Sequence, residues 1–223
     1  MAAAPDLVAE NLACRRGERL VFTGLSLCVP AGGALIVTGA NGSGKSSLLR
    51  VLATLLAPVA GRLLWEGAPV AAALPRYRAA VHYLGHLDAL KLALSPRETL
   101  AFWAAQRDAG RGNIEAALAA FGLEAIADWP CRWLSAGQRR RIALARLVAA
   151  PAPVWLLDEP TAALDRDGEE RLSAALAAHR AGGGRAVVAT HAPIAAEDAD
   201  TLAIDDFAPG PEEFADDPWA SGF

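Results

Sequence analysis

One short segment of this sequence has the residues of a phosphate-binding loop. Residues 39–46 read Gly-Ala-Asn-Gly-Ser-Gly-Lys-Ser, which fits G-x-x-x-x-G-K-[ST], and they lie between a short apolar run and a helical pattern. Glycines let backbone N–H groups turn towards phosphate oxygens, and the following helix N-terminus adds partial positive charge. The chain has only two lysines, so a chance lysine at this position is rare. The candidate nucleotide ligands here are Gly39, Asn41, Gly42, Ser43, Gly44, Lys45, Ser46 and Ser47.

A second candidate segment places two carboxylates at the end of an apolar run. Val154–Leu157 predicts a buried strand, and Asp158 and Glu159 follow it directly. Ligands of open α/β sheets bind at the carboxyl ends of the strands, where these acids would lie. We expect Lys45 to reach the β- and γ-phosphates, Ser46 and Asp158 to hold Mg²⁺, and Glu159 to orient or deprotonate the attacking water.

A third segment, Leu-Ser-Ala-Gly-Gln at residues 134–138, precedes a helical pattern that is rich in arginine. Ser135 is a good helix N-cap residue, so its hydroxyl and the free N–H groups of the first turn form an end that can bind an anion. Taken alone, the pentapeptide is equally well explained as a capped helix without further function. Its position between the first two segments favours the anion-binding interpretation.

Composition excludes several other classes of protein. The 223 residues are 53% apolar and 21% charged with a net charge of −4, which is atypical of disordered chains and gives no basic surplus for nucleic acid. Three cysteines without a C-x-x-C pair predict neither a disulfide framework nor a zinc site. The uncharged run from residue 20 to 44 contains too many glycines for a membrane-spanning helix. We therefore expect a cytoplasmic chain without a span of its own.

The hydrophobic pattern alternates between short strands and helices, which predicts an α/β fold with a parallel sheet covered on both faces. The strand candidates are Leu25–Val29, Ala34–Thr38, Val81–Leu84, Val154–Leu157 and Ala186–Thr190. The helix candidates are Lys45–Leu55, Pro96–Arg107, Ile114–Phe121, Ser135–Ala149 and Asp167–Arg180. Residues 86–150 contain helices and no convincing strand, and residues 205–223 predict a short acidic tail that is frayed.

These three segments in this order resemble the nucleotide-binding domain of an ATP-binding cassette (ABC) transporter, over about residues 7–204. The resemblance implies a P-loop NTPase with a RecA-like parallel sheet, an antiparallel β edge and a helical sub-domain. It divides the single domain 1–204 into a core of 1–85 and 151–204 and a helical sub-domain of 86–150. Residues 163–165 match the D-loop, and Thr190-His191 match the switch histidine, so Glu159 and His191 become the expected catalytic residues.

Two positions depart from the usual pattern of this family. Where an aromatic residue normally stacks on adenine, this chain has Arg16, whose guanidinium plane can also stack on a base; Phe22 is the alternative. Where the Q-loop normally has glutamine, this chain has His86, which can contact the γ-phosphate side of the site or can be an ordinary loop residue.

Smaller features resemble the ATP-binding subunits of the bacterial cytochrome c maturation system, the haem-exporter ATPases. These are the short chain, Gly85-His86, the turn Leu64-Trp65-Glu66-Gly67, and three arginines after Gln138. The resemblance implies ATP and Mg²⁺ as ligands, polytopic permease subunits (CcmB or CcmC-like) as partners, no nucleic acid, and a peripheral position on the cytoplasmic face of the inner membrane. The alternatives are a multidrug or lipid exporter ATPase and a soluble ABC protein without a transport role.

The resemblance also implies a homodimer. In this family two domains face head to tail, so that the signature segment of one copy closes over the ATP held by the other. The residues expected to act from the second copy are Ser135, Gly137 and Gln138. Phosphoryl transfer needs charge stabilisation from several directions, which is a physical reason for this arrangement.

Overall fold

The structure is a computed structural model that describes residues 6–107, 112–191, 196 and 198–210. Its strands are β1 (Leu7–Arg16), β2 (Arg19–Val29), β3 (Ala34–Thr38), β4 (Ala60–Trp65), β5 (Ala68–Pro69), β6 (Val81–Leu84), β7 (Val154–Asp158), β8 (Arg185–Ala189) and β9 (Asp200–Ala203). Its α-helices are α1 (Lys45–Leu52), α2 (Leu74–Ala80), α3 (Pro96–Ala105), α4 (Gly112–Ala120), α5 (Ala136–Ala149) and α6 (Arg166–Ala181).

A five-stranded parallel sheet in the order β6-β7-β8-β3-β9 forms the centre of the fold. Every residue of β7 and β8 is buried, as expected for continuous apolar strands that are covered on both faces. The predicted strands at β3, β6, β7 and β8 agree with the structure to within one residue. Because all five strands run in the same direction, their carboxyl ends share one edge of the sheet.

A second, antiparallel sheet has the order β2-β1-β4-β5. The predicted strand Leu25–Val29 belongs to this sheet as the second half of β2. The structure thus has the α/β fold, parallel sheet and antiparallel edge that the resemblance implied.

The sequence pattern missed β1, β4, β5, β9 and α2 for identifiable reasons. Register shifts interrupt the pairing of β1 with β2, and Asn11 in β1 has a φ of 48°, so the strand does not show simple apolar alternation. The strand β9 is at the edge of its sheet and is only four residues long, and its first two residues are exposed. Short or bulged strands lack the periodic signal on which the predictions depend.

Two hydrophobic clusters cover the two faces of the parallel sheet. The first joins the antiparallel sheet to α1 and contains Phe22, Leu48 and Val187. The second joins α3, α4, α5 and α6 to the other face and contains Leu118, Leu144 and Val188. The helices α3, α4 and α5 all lie within residues 86–150, and the structure places no strand in the described part of that range.

Residues 205–210 differ from the expected frayed tail. Ile204–Phe207 form a 3₁₀ turn directly after β9, and Ile204 is buried in the first cluster. The remainder of the predicted tail, residues 211–223, lies outside the described residues. None of the helices in the described ranges has both the length and the apolar character that crossing a bilayer requires.

A buried histidine makes the stability of this fold depend on pH. His82 in β6 is 3% exposed, and its Nε2 lies against the carbonyl oxygen of Ala150. Burial, together with the positive charge of Arg107, lowers the pKa of His82 to about 3. The folded chain therefore keeps this imidazole neutral at pH values where the unfolded chain protonates it.

Replacing His82 with glutamine, whose amide can still donate to Ala150, should flatten the pH dependence of stability. Below about pH 6.5 the unfolded state binds a proton that the native state refuses, so His82 lowers the free energy of unfolding by up to about 1.4 kcal/mol per pH unit. This loss continues down towards pH 3 and is absent above pH 7. Urea denaturation between pH 7 and 5 measures it, and an identical slope in H82Q would contradict the assignment. Burial also lowers the pKa of His179, so this second histidine should preserve part of the pH dependence in the H82Q variant.

Candidate nucleotide site

The phosphate-binding loop connects β3 to α1, and its glycines adopt conformations that other residues avoid. Gly39, Gly42 and Gly44 have φ values of 144°, 84° and 112°. A Cβ on Gly44 would also lie 2.5 Å from Cγ1 of Val21. Gly44 is the N-cap of α1, so the helix begins at the loop and directs its free N–H groups to the site.

Lys45 holds its ammonium group across the loop. Its Nζ donates to the carbonyl oxygens of Gly39 at 2.8 Å and Ala40 at 3.0 Å, and the side chain is only 7% exposed. This places a positive charge in the loop, and no carboxylate of the described residues forms an ion pair with it. Ser43 Oγ is buried and has no hydrogen-bond partner within the described part of the chain, so the loop offers an unused polar atom to a ligand.

Ser46 and Asp158 meet where the loop faces the end of β7. The hydroxyl of Ser46 donates to Oδ1 of Asp158 at 3.0 Å, although the residues are 112 positions apart. Both atoms are hard oxygen donors of the type that Mg²⁺ prefers. The donor set therefore fits a magnesium ion beside a bound phosphate group.

Glu159 and His191 form a pair above the same edge. Oε2 of Glu159 lies 3.0 Å from Nδ1 of His191 and also accepts from the backbone N–H of His191 at 3.4 Å. Glu159 has a φ of 47°, in the left-handed region, and its own N–H donates to the carbonyl of Ala189 at 2.8 Å. The tertiary structure holds this strained residue and points its carboxylate at the histidine.

A cleft of about 940 Å³ brings most of the predicted ligands together. Its lining includes residues 40–47 of the loop and, from other parts of the chain, Arg16, His86, Glu159 and His191. Gly39 does not line the cleft, but its carbonyl accepts from Lys45. Asp158 does not line it either, but accepts from the cleft-lining Ser46. The volume is within the range of small-molecule sites.

The two residues considered for stacking on adenine lie in different surroundings. Phe22 is completely buried in the hydrophobic core and does not line the cleft, so this alternative is wrong. Arg16 is exposed at the end of β1 and lines the cleft beside Arg19.

The signature segment does not line this cleft. Ser135 caps α5 by accepting from the N–H of Gln138 at 3.1 Å, and the Gln138 side chain accepts from the N–H of Ser135 at 2.9 Å. Among the described residues around the cleft, no residue of 134–138 is present. Within one copy of the chain, the signature segment therefore lies apart from the phosphate-binding loop.

Asp205, which the sequence suggested only as the start of a tail, is part of the loop region. Its Oδ2 accepts from the N–H of Ala40 at 3.1 Å, and it lines the cleft. A single acidic residue in an acidic segment carries no signal that could have indicated this contact. The sequence analysis also missed Arg140, which lies behind Glu159.

Comparison of the chain with known protein families, relatives and solved structures identifies the family to which it belongs. A family model described as "ABC transporter" matches residues 22–162, which is more than half of the chain. The chain belongs to the ABC transporter family. It is an ATPase of the ABC type and binds nucleotide.

Several named relatives of this ABC ATPase match almost their whole length. A protein of Rhodospirillum rubrum called "Cytochrome c biogenesis ATP-binding export protein CcmA" is 54% identical over 95% of this chain and 91% of its own. A protein of the same name from Paramagnetospirillum magneticum is also 54% identical, over 90% of this chain and 94% of its own.

Solved structures show the same fold at low sequence identity. A putative ABC transporter ATP-binding protein from Pyrococcus furiosus has a TM-score of 0.81 at 19% identity, covering 92% of this chain and all of its own. An ATP-binding cassette solved as a dimer in a post-hydrolysis state with ADP and Pi has a TM-score of 0.73 at 24% identity, covering 83% of this chain and 88% of its own.

The signature segment of this ABC ATPase has one position where glycine is required and one where it is not. A Cβ on Gly137 would lie 2.8 Å from the backbone oxygen of Ala163, which belongs to the D-loop match. Ala136, where the family usually has glycine, already carries a Cβ and is exposed. At Gly137, therefore, the close approach of α5 to the D-loop requires the absence of a side chain.

Gly137→Ala should displace the D-loop and lower stability by about 1–3 kcal/mol, because the atom that it meets is backbone. Ala136→Gly, the control at the neighbouring position, should cost less than about 1 kcal/mol because it removes no close contact. Chemical denaturation of both variants measures the difference. Equal effects of the two substitutions would show that the contact with Ala163 does not limit this position.

Proposed function

We propose that this chain is the ATP-hydrolysing subunit of an ABC transporter complex for c-type cytochrome biogenesis, where it energises haem export or release of a haem carrier. The observation that carries the proposal is the 54% identity to relatives named as cytochrome c biogenesis ATP-binding export proteins, over nearly the full length of both chains. The cleft with Lys45, Asp158, Glu159 and His191 supplies the chemistry that such a subunit needs.

Lys45 and the backbone of the phosphate loop bind the triphosphate. Binding would draw the Lys45 ammonium from the carbonyls of Gly39 and Ala40 to the more strongly charged phosphate oxygens. Ser46 and Asp158 would hold Mg²⁺, which neutralises phosphate charge when bound. Arg16 is exposed and lines the cleft, where its guanidinium plane would stack on the adenine base.

Glu159 positions the attacking water and accepts its proton as the water oxygen bonds to the γ-phosphorus and the bond from that phosphorus to the departing ADP oxygen breaks. His191 steadies the Glu159 carboxylate through Nδ1, which leaves Nε2 as the ring nitrogen available to the γ-phosphate. His86 lines the same cleft from the segment that follows β6, where it can contact the γ-phosphate. These residues together form the part of the hydrolytic centre that one copy of the chain supplies.

Further contacts to the γ-phosphate would come from a second copy of the chain. Ser135 and Gly137 lie at the N-terminus of α5, which carries partial positive charge and does not line the cleft of its own chain. In a head-to-tail homodimer, this helix end would close over the γ-phosphate held by the other copy. The related cassette solved as a dimer with ADP and Pi is consistent with such an assembly.

Exposed apolar side chains in the segment that follows His86 support a membrane partner. Leu87, Leu92, Phe102 and Trp133 are 81%, 51%, 46% and 66% exposed, and all belong to or adjoin the helical segment after His86. Clusters of large exposed apolar side chains mark interaction sites. We assign this surface, called here the apolar docking surface, to a cytoplasmic segment of a polytopic permease subunit, which would hold the chain on the cytoplasmic face of the inner membrane.

Glu159→Gln should bind ATP with near-normal affinity but reduce hydrolysis at least about 100-fold, because the amide cannot accept the proton of water. The trapped ATP should also hold two chains together, which size-exclusion chromatography with and without ATP detects. Glu170→Gln is the matched control, since Glu170 is exposed and its ion pair is with Arg166 in the same helix. Normal hydrolysis by E159Q would remove Glu159 from its role.

Leu87→Ser should reduce recovery of the chain with its membrane partner and leave ATP binding unchanged, because it removes an apolar anchor from the apolar docking surface. Leu55→Ser is the control, since Leu55 is also an exposed leucine at 63% but lies after α1. Purification from membranes and identification of the co-purified chain give the measurement. Recovery of haem-handling membrane subunits supports the pathway, whereas multidrug or lipid exporter subunits, or no membrane partner, would overturn it.

A further inference from the structure

Arg140 is a buried cation that connects three parts of the site. It lies in α5, two residues after the signature segment, and is 2% exposed. Its guanidinium makes hydrogen bonds to the segment after β6 and to the segment after β7. The acceptors are the backbone oxygens of Gly85 (3.2 Å), Asp158 (3.0 Å), Glu159 (2.7 Å) and Pro160 (3.2 Å), and Oδ1 of Asp88 (3.0 Å).

This arrangement requires arginine. A buried charge is costly unless it is paired and hydrogen-bonded, and here four carbonyl dipoles and the carboxylate of Asp88 share the compensation. The planar guanidinium presents five N–H donors in a fixed geometry, whereas a lysine ammonium has three donors and no fork. A residue in this position thus fixes several backbone groups relative to one another.

The contact with Glu159 constrains the residue that we propose as the base. Glu159 has a left-handed φ of 47°, its N–H binds Ala189, and its carbonyl accepts from Arg140 at 2.7 Å. The Glu159 carbonyl also accepts from the N–H of Ala162 at 3.1 Å, so both polar groups of its backbone are hydrogen-bonded. This backbone is the base from which the Glu159 carboxylate reaches His191.

The contacts with Gly85 and Asp88 connect Glu159 to the surface beside the cleft. These two residues flank His86, which lines the cleft, and Leu87, which belongs to the apolar docking surface. A displacement of residues 85–88 changes two contacts of the same guanidinium that holds the Glu159 carbonyl. Arg140 is thus placed to transmit the position of this segment to the catalytic edge of the sheet.

We propose that Arg140 is a positioning residue that couples residues 85–88 to the catalytic geometry of Glu159. The proposal rests on the role given to Glu159 above. Arg140 does not itself line the cleft, and the cleft-lining residue to which it donates is Glu159, so it acts on the rate of hydrolysis through Glu159 and not on the binding of ATP.

The first test compares Arg140→Gln and Arg140→Lys with Arg146→Gln in the full-length chain. Arg146 is the matched control, because it is also a buried arginine of α5 but donates to the backbone of Tyr83 and stacks over Trp103. Substitution of either arginine should lower the free energy of unfolding. Only the Arg140 variants should lower kcat, by roughly 10- to 100-fold with KM for ATP within about threefold, since a small misplacement of a catalytic group has effects of this size.

The second test asks whether Arg140 acts through Glu159. In the double variant R140Q/E159Q, loss of Arg140 should lower the residual rate less than about twofold below that of E159Q, because residues that act as a unit are not additive. A full additional loss, or equal kcat effects of R140Q and R146Q, would overturn the proposal. Normal hydrolysis by E159Q alone would instead refute the role of Glu159, so the two failures are distinguishable.

The third test addresses the link to residues 85–88. Asp88→Asn should reduce kcat in the same direction as R140K, because Asp88 is joined to Arg140 by an ion pair at 3.0 Å. Asp128→Asn is its control, since Asp128 also pairs with an arginine of the helical segment, Arg97, at 2.9 Å. An Asp88 variant that hydrolyses ATP like D128N would show that the coupling does not extend to this segment.

Discussion

The shared carboxyl edge of the parallel sheet is the constraint on which the rest of this structure depends. Strands β3, β7 and β8 are adjacent and run in the same direction, so residues that follow them in sequence meet in space. The hydrogen bond from Ser46 to Asp158 spans 112 positions of sequence, and the pair of Glu159 and His191 spans 32. Both contacts exist because the strand ends are neighbours and both lie where a helix N-terminus adds positive potential.

Helix α5 contributes at its N-terminus and along its buried face. Ser135 caps the N-terminus and does not line the cleft of its own chain. The buried face carries Arg140, which donates to backbone oxygens at the ends of β6 and β7. The helical segment is therefore attached to the catalytic edge by a charged, many-donor contact and not only by apolar packing. Such a contact is directional, which apolar packing is not, and it connects a surface suited to a partner with the site of hydrolysis.

Strand-length apolar runs and the three motifs were readable from the sequence because each has a local physical cause. Apolar residues flanked by turn signals produced β3, β6, β7 and β8 nearly to the residue, and Ser135 was correctly identified as a helix cap. The bulged strand β1 and the four-residue edge strand β9 were missed because their residues show no clear period. Phe22 was a plausible adenine-stacking residue by position, but its place in the core excludes it.

The sequence by itself determined the chemistry: a glycine-rich loop with Lys45 and Ser46, two acids after an apolar run, and a histidine 32 residues later. Only the tertiary structure decided which of these groups face one another and which residues hold them in place. It brought Asp205 to the backbone of the loop and Arg140 to the carbonyl of Glu159. The physical reason is that motif residues have local, recurring spacing, whereas a supporting contact depends on the distances between strand and helix ends that only the packed fold defines.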